Sequence, residues 1–320
     1  MGALPRATVH PCCRHVGILP QRAEFDGLEI PPVTPAGQGI SPPWRSSLLA
    51  RAPRRRMPKL HHINAGEAFI LRSEVKSYIA PEFTLPAGAT VMDVGANIGY
   101  FSAYVHHLLG GDVRICAFEP MPPVFAVLER NMRERCGARA TAFPFGLSDR
   151  EQDLEFTYFP KATVLSSSRR TAETLETEAD EMVARMNTWG GPTGLLSAVK
   201  RAQASVSRQV VRRMFANLES QTFPVRVRPL SAVIDELGLT AIDLLKIDVE
   251  GAELDVLNGI EDRHWPTIRQ LALEVERWTE RSPVVAQFLA SKNFRVRTEQ
   301  SAMSRRMNVG LIYAVAESGS

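Results

Sequence analysis

A chain of 320 residues with 44% hydrophobic content can build one sizeable core and still carry extra segments. The net charge of +3 is unevenly spread: residues 1–56 hold eight Arg, no Lys and three acids, a net of +5, which leaves the remaining 264 residues at 3 − 5 = −2 and gives no basic footprint for nucleic acid. No run of about 18 apolar residues is present, so no membrane span is expected, and Cys12, Cys13, Cys116 and Cys136 form no C-x-x-C pair or metal spacing, which predicts a reduced, cytoplasmic setting.

Residues 1–56 contain nine of the 22 prolines and have neither helical nor strand period nor the apolar region of a secretory signal. They are expected to be a disordered Pro/Arg-rich extension without chemistry; a transit peptide or surface-binding arm is the other reading, and Met57 can be the true start. The domain is expected over 57–320. Between His61 and Ile79 the apolar residues suggest a short strand and helix that cover the ligand turn, with Glu67 and Tyr78 within reach of a ligand there, although a structural role is the plainer reading.

The stretch T-V-M-D-V-G-A-N-I-G-Y-F-S, Thr90 to Ser102, reads as a buried strand (91–95), a glycine turn and a helix (98–109). That is the geometry that lets a backbone approach a nucleotide. A dinucleotide site needs G-x-G-x-x-G around a pyrophosphate, but here the middle glycine is Asn97 and the spacing is G-x-x-x-G. Asp93 would repel a phosphate and could pair with a ligand's ammonium group. A second strand (113–118) ends in Glu119-Pro120, where doubly wound folds contact ribose hydroxyls. Adenosine with an amino-acid tail and no phosphate is S-adenosylmethionine.

Alternation continues with a helix at 122–135 and a third strand at 140–146, ending in Gly146-Leu147-Ser148-Asp149. Strands at 153–159 and 224–228 bracket an insertion, 160–222, that reads as a helical hairpin broken at Trp189-Gly190-Gly191-Pro192. Its second half sets Val206, Val210 and Met214 against Arg208, Arg212 and Arg213. The sharper reading is a lid whose basic face at 198–218 docks an acidic carrier protein; the plainer one is a cover helix with a solvated charged face. A helix at 230–237 and strand four, ending in Lys246-Ile247-Asp248-Val249-Glu250, follow. Then come a helix (253–259), strand five (270–276), a helix (283–291) and strands six (294–298) and seven (310–315). Alternation of this kind predicts an α/β fold with a seven-stranded, mostly parallel sheet and helices on both faces.

Five blocks, V-M-D-V-G-A-N-I-G-Y-F-S at 91–102, A-F-E-P-M-P-P at 117–123, G-L-S-D at 146–149, L-L-K-I-D-V-E-G-A-E at 244–253 and W-P-T-I-R-Q at 265–270, resemble the FkbM-type methyltransferases over roughly 57–320. The resemblance implies a Rossmann-like class I fold and transfer of a methyl group from S-adenosylmethionine to a hydroxyl, on a polyketide, nonribosomal peptide or sugar, free or carrier-tethered. Carried over by position, Asp93, Gly95, Asn97, Gly99 and Glu119 would hold the cofactor, with Ser148 near the adenine. One block departs: Glu274-Val275-Glu276-Arg277 stands where assembly-line members carry Glu-Val-His-Asp.

Methyl transfer from a sulfonium needs the acceptor oxygen held in line and, secondarily, a base for its proton. None of the seven histidines is well placed, so the acids at the crevice ends of strands four and five, Asp248, Glu250 and Glu276, are the candidates; crowding would raise one of their pKa values. The structural alternatives are that Asp248 only contacts cofactor, that Glu250 and Glu253 cap the next helix, and that Lys246 pairs with an acid across the sheet. The acids have no fixed metal-ligand spacing, so no metal is expected. Rival readings are an NAD(P)-dependent oxidoreductase, which Asn97 disfavours, and a non-catalytic cofactor- or partner-binding module.

Overall fold

The computed structural model describes residues 59–65, 71–72, 74–169, 174, 177 and 219–317. The N-terminal extension, Glu67 and most of the 160–222 insertion, including the expected docking face at 198–218, lie outside the described residues. Within them the strands are β1 (Ala89–Val94), β2 (Val113–Phe118), β3 (Ala140–Phe143), β4 (Gly146–Ser148), β5 (Gln152–Tyr158), β6 (Gln221–Pro229), β7 (Leu244–Ile247), β8 (Gln270–Val275), β9 (Phe294–Glu299) and β10 (Gly310–Ala316). The α-helices are α1 (Tyr100–Leu108), α2 (Pro122–Asn131), α3 (Leu230–Leu237), α4 (Glu253–Asn258), α5 (Trp278–Ser291) and α6 (Ala302–Met307).

Seven strands form one sheet in the order β3-β2-β1-β7-β8-β10-β9, parallel except for β10, which runs antiparallel to both neighbours. Strand β1 is paired on both edges by β2 and β7 and packed on both faces by helices, which is why its sequence is almost wholly apolar. Strand period divides it cleanly. Ala89 and Val91 join one core with Leu244, Ala272 and Tyr313 beneath α1 and α2. Met92 and Val94 join the other, with Leu245, Leu273 and Val275 beneath α3, α4 and α5. Both faces are therefore covered by helices, and the strand tips between them are left for a ligand.

Three boundaries differ from expectation for local reasons. The third strand stops at Phe143 rather than 146, because Pro144 has no N–H to extend the ladder. Gly146–Ser148 then leaves the main sheet as β4 and pairs with β6, in a three-stranded sheet completed by β5. The expected helix at 122–135 is α2 followed by a π turn at Met132–Cys136. Helix α5 starts at Trp278 rather than at Pro283, because the Trp278 N–H donates to the Asn308 carbonyl (2.8 Å) and the chain turns into it through Arg277 in the left-handed region (φ 48°). The short helix α6 was not anticipated.

The segment preceding β1 packs across the α1 face of the sheet, from the ligand turn, whose cavity Glu74 and Tyr78 line, to the start of β8 at Gln270, and among its described residues no strand forms. Asn131 clamps it: its side-chain carbonyl accepts the His61 N–H (2.8 Å) and its amide donates to the carbonyls of His61 (3.0 Å) and Ile98 (2.8 Å). Farther along, Gln270 makes two bonds to the Thr84 backbone (2.7 and 2.8 Å) and the Tyr313 hydroxyl donates to the Ser77 carbonyl (2.7 Å). Asn131→Ala is expected to cost about 1–3 kcal/mol, since it leaves buried backbone groups unpaired; urea unfolding checks this, and a value below about 0.5 kcal/mol would show that the clamp does not hold the segment.

Candidate active site

The turn from Gly95 to Gly99 lies between the tips of β2 and β7. Gly95 and Ala96 donate to the Phe118 carbonyl (3.1 and 2.9 Å), and the Asp248 N–H donates to the Val94 carbonyl (3.0 Å). Gly95 is required twice over: its φ is +73°, and a Cβ there would sit 1.7 Å from the Asp248 carbonyl oxygen. Asn97, at φ 48°, occupies a conformation that asparagine tolerates better than most residues and accepts the Ile98 N–H on its own side chain (2.8 Å). Gly99, at φ +90°, opens α1 where a Cβ would meet Met132 and Leu128.

Glu119, just beyond β2, accepts the Asn97 N–H on one oxygen (3.0 Å) and the Met121 N–H on the other (2.9 Å). Its burial pushes the carboxyl up to about 7 despite those two donors. A carboxylate has about four acceptor positions. Two are taken, so Glu119 retains capacity for a pair of ligand hydroxyls.

On the α1 face, period two places Asp93, Lys246, Asp248 and Glu274 in one group. Asp93 is fully buried; Ser102 Oγ donates to its Oδ2 (2.7 Å) and Lys246 Nζ lies 3.2 Å from its Oδ1. The ammonium that Asp93 meets is thus this chain's own, and the expectation that it faces a ligand ammonium is replaced by the cross-strand pair, since Asp93 and Lys246 are register partners of β1 and β7. Lys246 Nζ also donates to the Gly95 carbonyl (2.8 Å), lies 3.4 Å from Asp248 Oδ2 and sits 5.2 Å over the Tyr78 ring. Burial opposes its charge, yet Asp93 and Asp248 hold its pKa above the ordinary lysine value.

The Tyr78 hydroxyl is 3.0 Å from Asp248 Oδ2 and 2.6 Å from Glu274 Oε2. Burial, reinforced by both acids, pushes that phenol well above its ordinary value. Burial and the charge of Asp248 push Glu274 up to about 8. Tyr78, Lys246 and Asp248 line a cavity of about 40 Å³ with Gly95, Asn97, Ile98, Phe101 and Glu74. A larger, open cavity of about 300 Å³ lies at the opposite ends of the strands, between Gly88, Arg114, Asp243 and Arg269. Ligands of open α/β sheets bind outside the carboxyl ends, and only the smaller cavity is there.

The other two expected acids stand apart from this group. Glu276, two residues beyond Glu274, has its carboxylate beside Gly251. Glu250 adopts φ 52°, and its carbonyl accepts from Ser167 Oγ (3.0 Å). Glu253 shapes the same loop: its buried carboxyl accepts the Gly251 N–H (2.8 Å) and pairs with Arg281 (3.0 Å), and burial still pushes it up to about 7. The acid that crowds Asp248 is thus Glu274, which the strand-end reading did not name. Ser148 lies in β4, with its carbonyl against Gly259 and its hydroxyl 3.2 Å from Asp149 Oδ1. Among the described residues no group of three or more His, Cys, Asp or Glu side chains could hold a metal ion, and no helix is long and apolar enough to cross a membrane.

The profile described as the methyltransferase FkbM domain matches residues 93–296, from the buried acid of β1 to the middle of β9. The chain belongs to the FkbM methyltransferase family. It is 35% identical over 246 residues to 31-O-demethyl-FK506 methyltransferase FkbM of Streptomyces tacrolimicus, covering 76% of this chain and 87% of that one. It is 34% identical over 248 residues to AMB antimetabolite synthetase AmbE of Pseudomonas aeruginosa, covering 74% of this chain but only 11% of that protein. Methyltransferase sdnD of Sordaria araneosa is 30% identical over 218 residues, or 68% of this chain and 78% of the relative. S-adenosylmethionine is the cofactor that goes with this FkbM domain, and Glu119's spare acceptor capacity fits a ribose.

Lys246→Met is expected to destabilise the fold by about 3–5 kcal/mol, because it strands the Asp93 carboxylate in the core without a counter-charge. Urea unfolding at neutral pH checks it, and a loss under about 1 kcal/mol would mean that Asp93 does not need the ammonium.

Proposed function

We propose that this chain is an S-adenosylmethionine-dependent O-methyltransferase acting on a hydroxyl of a secondary metabolite, a polyketide or nonribosomal peptide, or of a sugar. The observation that carries the proposal is one ionisable carboxylate, Asp248, beside a buried ammonium at the mouth of a cavity whose floor is the Gly95–Gly99 turn. Two relatives support the chemical class of the acceptor: one is named for the 31-O position of FK506, the other for antimetabolite synthesis. The second is a synthetase of which this chain spans 11% of the length, which also favours a carrier-tethered acceptor.

When bound, S-adenosylmethionine supplies a methyl group activated by a sulfonium. The chain's own part is binding, orientation and proton handling. Glu119 would hold the ribose hydroxyls, and the turn Gly95, Asn97 and Gly99 would let the backbone approach the adenosine. Asp93 would act indirectly, by fixing Lys246 beneath the turn. Ser148's role toward the adenine rests on the family resemblance alone. Asp248 would accept the acceptor's hydroxyl proton, while Glu250 and Glu276 would act on the loop around the acceptor and not on the reacting atoms. The cavity of about 40 Å³ is smaller than any nucleoside, so the segment bearing Glu74 and Tyr78 must shift to admit cofactor.

Titration calorimetry is expected to show binding of S-adenosylmethionine and none of NAD; the reverse would make the chain an oxidoreductase. Glu119→Ala should weaken cofactor binding by about 1.5–3 kcal/mol, the range for hydrogen bonds to a charged group; unchanged affinity would remove Glu119 from the site. Once mass spectrometry of a strain lacking the protein identifies the acceptor as a metabolite one methylene lighter, Asp248→Asn should lower turnover by about 10²–10⁴, and an unaffected rate would exclude it as the base.

A further inference from the structure

Tyr78 has one hydroxyl hydrogen and two carboxylate neighbours, Glu274 Oε2 at 2.6 Å and Asp248 Oδ2 at 3.0 Å. It cannot donate fully to both. If both acids were ionised, one would face the phenol's lone pairs at hydrogen-bond distance. Charge counting points the same way: Asp93 and Asp248 already outnumber Lys246 by one, Glu74 is a further acid beside them, and among the described residues the groups that act on Glu274 include no second cation. Those groups are Tyr78 and Glu74 from the covering segment and Lys246 and Asp248 from β7 and its tip. On the other side β10 offers only Leu311 as register partner. The arrangement closes if a proton sits on Glu274: its O–H donates to the Tyr78 oxygen, and Tyr78 donates onward to Asp248.

We propose that Glu274 is kept as the uncharged acid of the site and, through Tyr78, is a positioning residue that leaves Asp248 the ionised carboxylate facing the cavity. The catalytic meaning rests on the reading of Asp248 as base; the protonation itself does not. Asp248 is the member of the trio with an open side, its side chain 26% exposed. It therefore takes the acceptor's proton and releases it to solvent, while the proton on Glu274 stays in place. Burial and the nearby negative charge of Asp248 agree with this, since they push Glu274 up to about 8. The chain also ties the catalytic carboxylate to the covering segment, so the latch over the cavity and the charge state of the base depend on the same proton.

The sign of the pH effect follows. A carboxyl at about 8 in the folded state against 4.5 ordinarily binds its proton more tightly when folded. Its contribution to stability is full below the ordinary value and is lost as pH rises toward about 8. Wild type is expected to lose melting temperature relative to Glu274→Gln across that window, with the difference levelling above it. Infrared spectra of the cofactor-free wild type minus those of Glu274→Gln at about pH 6 should show a protonated carboxyl band that is lost above about pH 8, the bands of Glu119 and Glu253, raised to about 7, being common to both proteins and cancelling. Glu274→Ala should weaken S-adenosylmethionine binding about tenfold or more, and Glu274→Gln, whose amide can donate to Tyr78 as the acid does, should recover most of that loss. A spectrum with no such band, a melting difference independent of pH, or a folded Gln variant that binds as poorly as Ala would each overturn the proposal. Failure of the wild type to bind S-adenosylmethionine would instead overturn the methyltransferase reading, and the infrared band would still decide where the proton is.

Discussion

A single buried ammonium organises the ligand end of this molecule. Lys246 reaches from β7 to Asp93 on β1, to the Gly95 carbonyl of the glycine turn and to Asp248 at the crevice, all within 3.4 Å. A lysine buried this completely is tolerated only when its charge is compensated, and each compensating group belongs to a different part of the site. Removing the ammonium would therefore disturb the central strand, the turn and the crevice acid together. The covering segment is attached to the same point, because the Tyr78 ring lies over the Lys246 ammonium and packs edge-on against Phe101 of α1 (5.7 Å).

This linkage explains why the acids of the site differ although all are carboxylates near one another. Asp93 is a structural anion with an internal partner. Glu119 is buried with two backbone donors and unused lone pairs, which suits a ligand that brings hydroxyls. Asp248 is partly open, lies beside a cation and lines the cavity, which suits the proton acceptor proposed above. Glu274 lies deeper, next to Asp248, and carries the consequence of like charges that cannot all ionise. Glu253 with Arg281 belongs to a neighbouring loop, where it supports the left-handed Glu250-Gly251 corner. That corner and Asn97 adopt left-handed backbone on the two loops that flank the crevice, while Arg277, Asn293 and Asn308 adopt it next to helix ends.

The covering segment is held by hydrogen bonds at Asn131, Gln270, Tyr313 and Tyr78 and by buried apolar residues along it, among them Leu60, Val75, Phe83 and Leu85, that join the core on the α1 face. Glu74 and Tyr78, in the middle of the segment, are the part of it that lines the cavity, so a ligand entering there meets the Tyr78 hydrogen bonds first.

Much of this was legible in the chain itself. The alternation of apolar runs and helical stretches, the G-x-x-x-G turn with Asn97, and Glu119 at a strand tip were enough to establish the sheet, its two covered faces and the class of ligand, because period and turn chemistry are local properties. Local chemistry also explains why Lys246 and Asp248 share a face, two residues apart on one strand. What sequence order could not supply was which strands are neighbours and how deep each side chain lies. The register of β1 against β7 decided that Asp93 faces Lys246, and the lie of a segment 170 residues away decided that Tyr78 joins Asp248 to Glu274. Glu274 and Glu276 read alike along the chain, and what separates them is their surroundings, Tyr78 and Asp248 for the one and the Gly251 corner for the other. Protonation depends on neighbours brought together by folding, and for that reason the charge states of the site were decided by the tertiary structure alone.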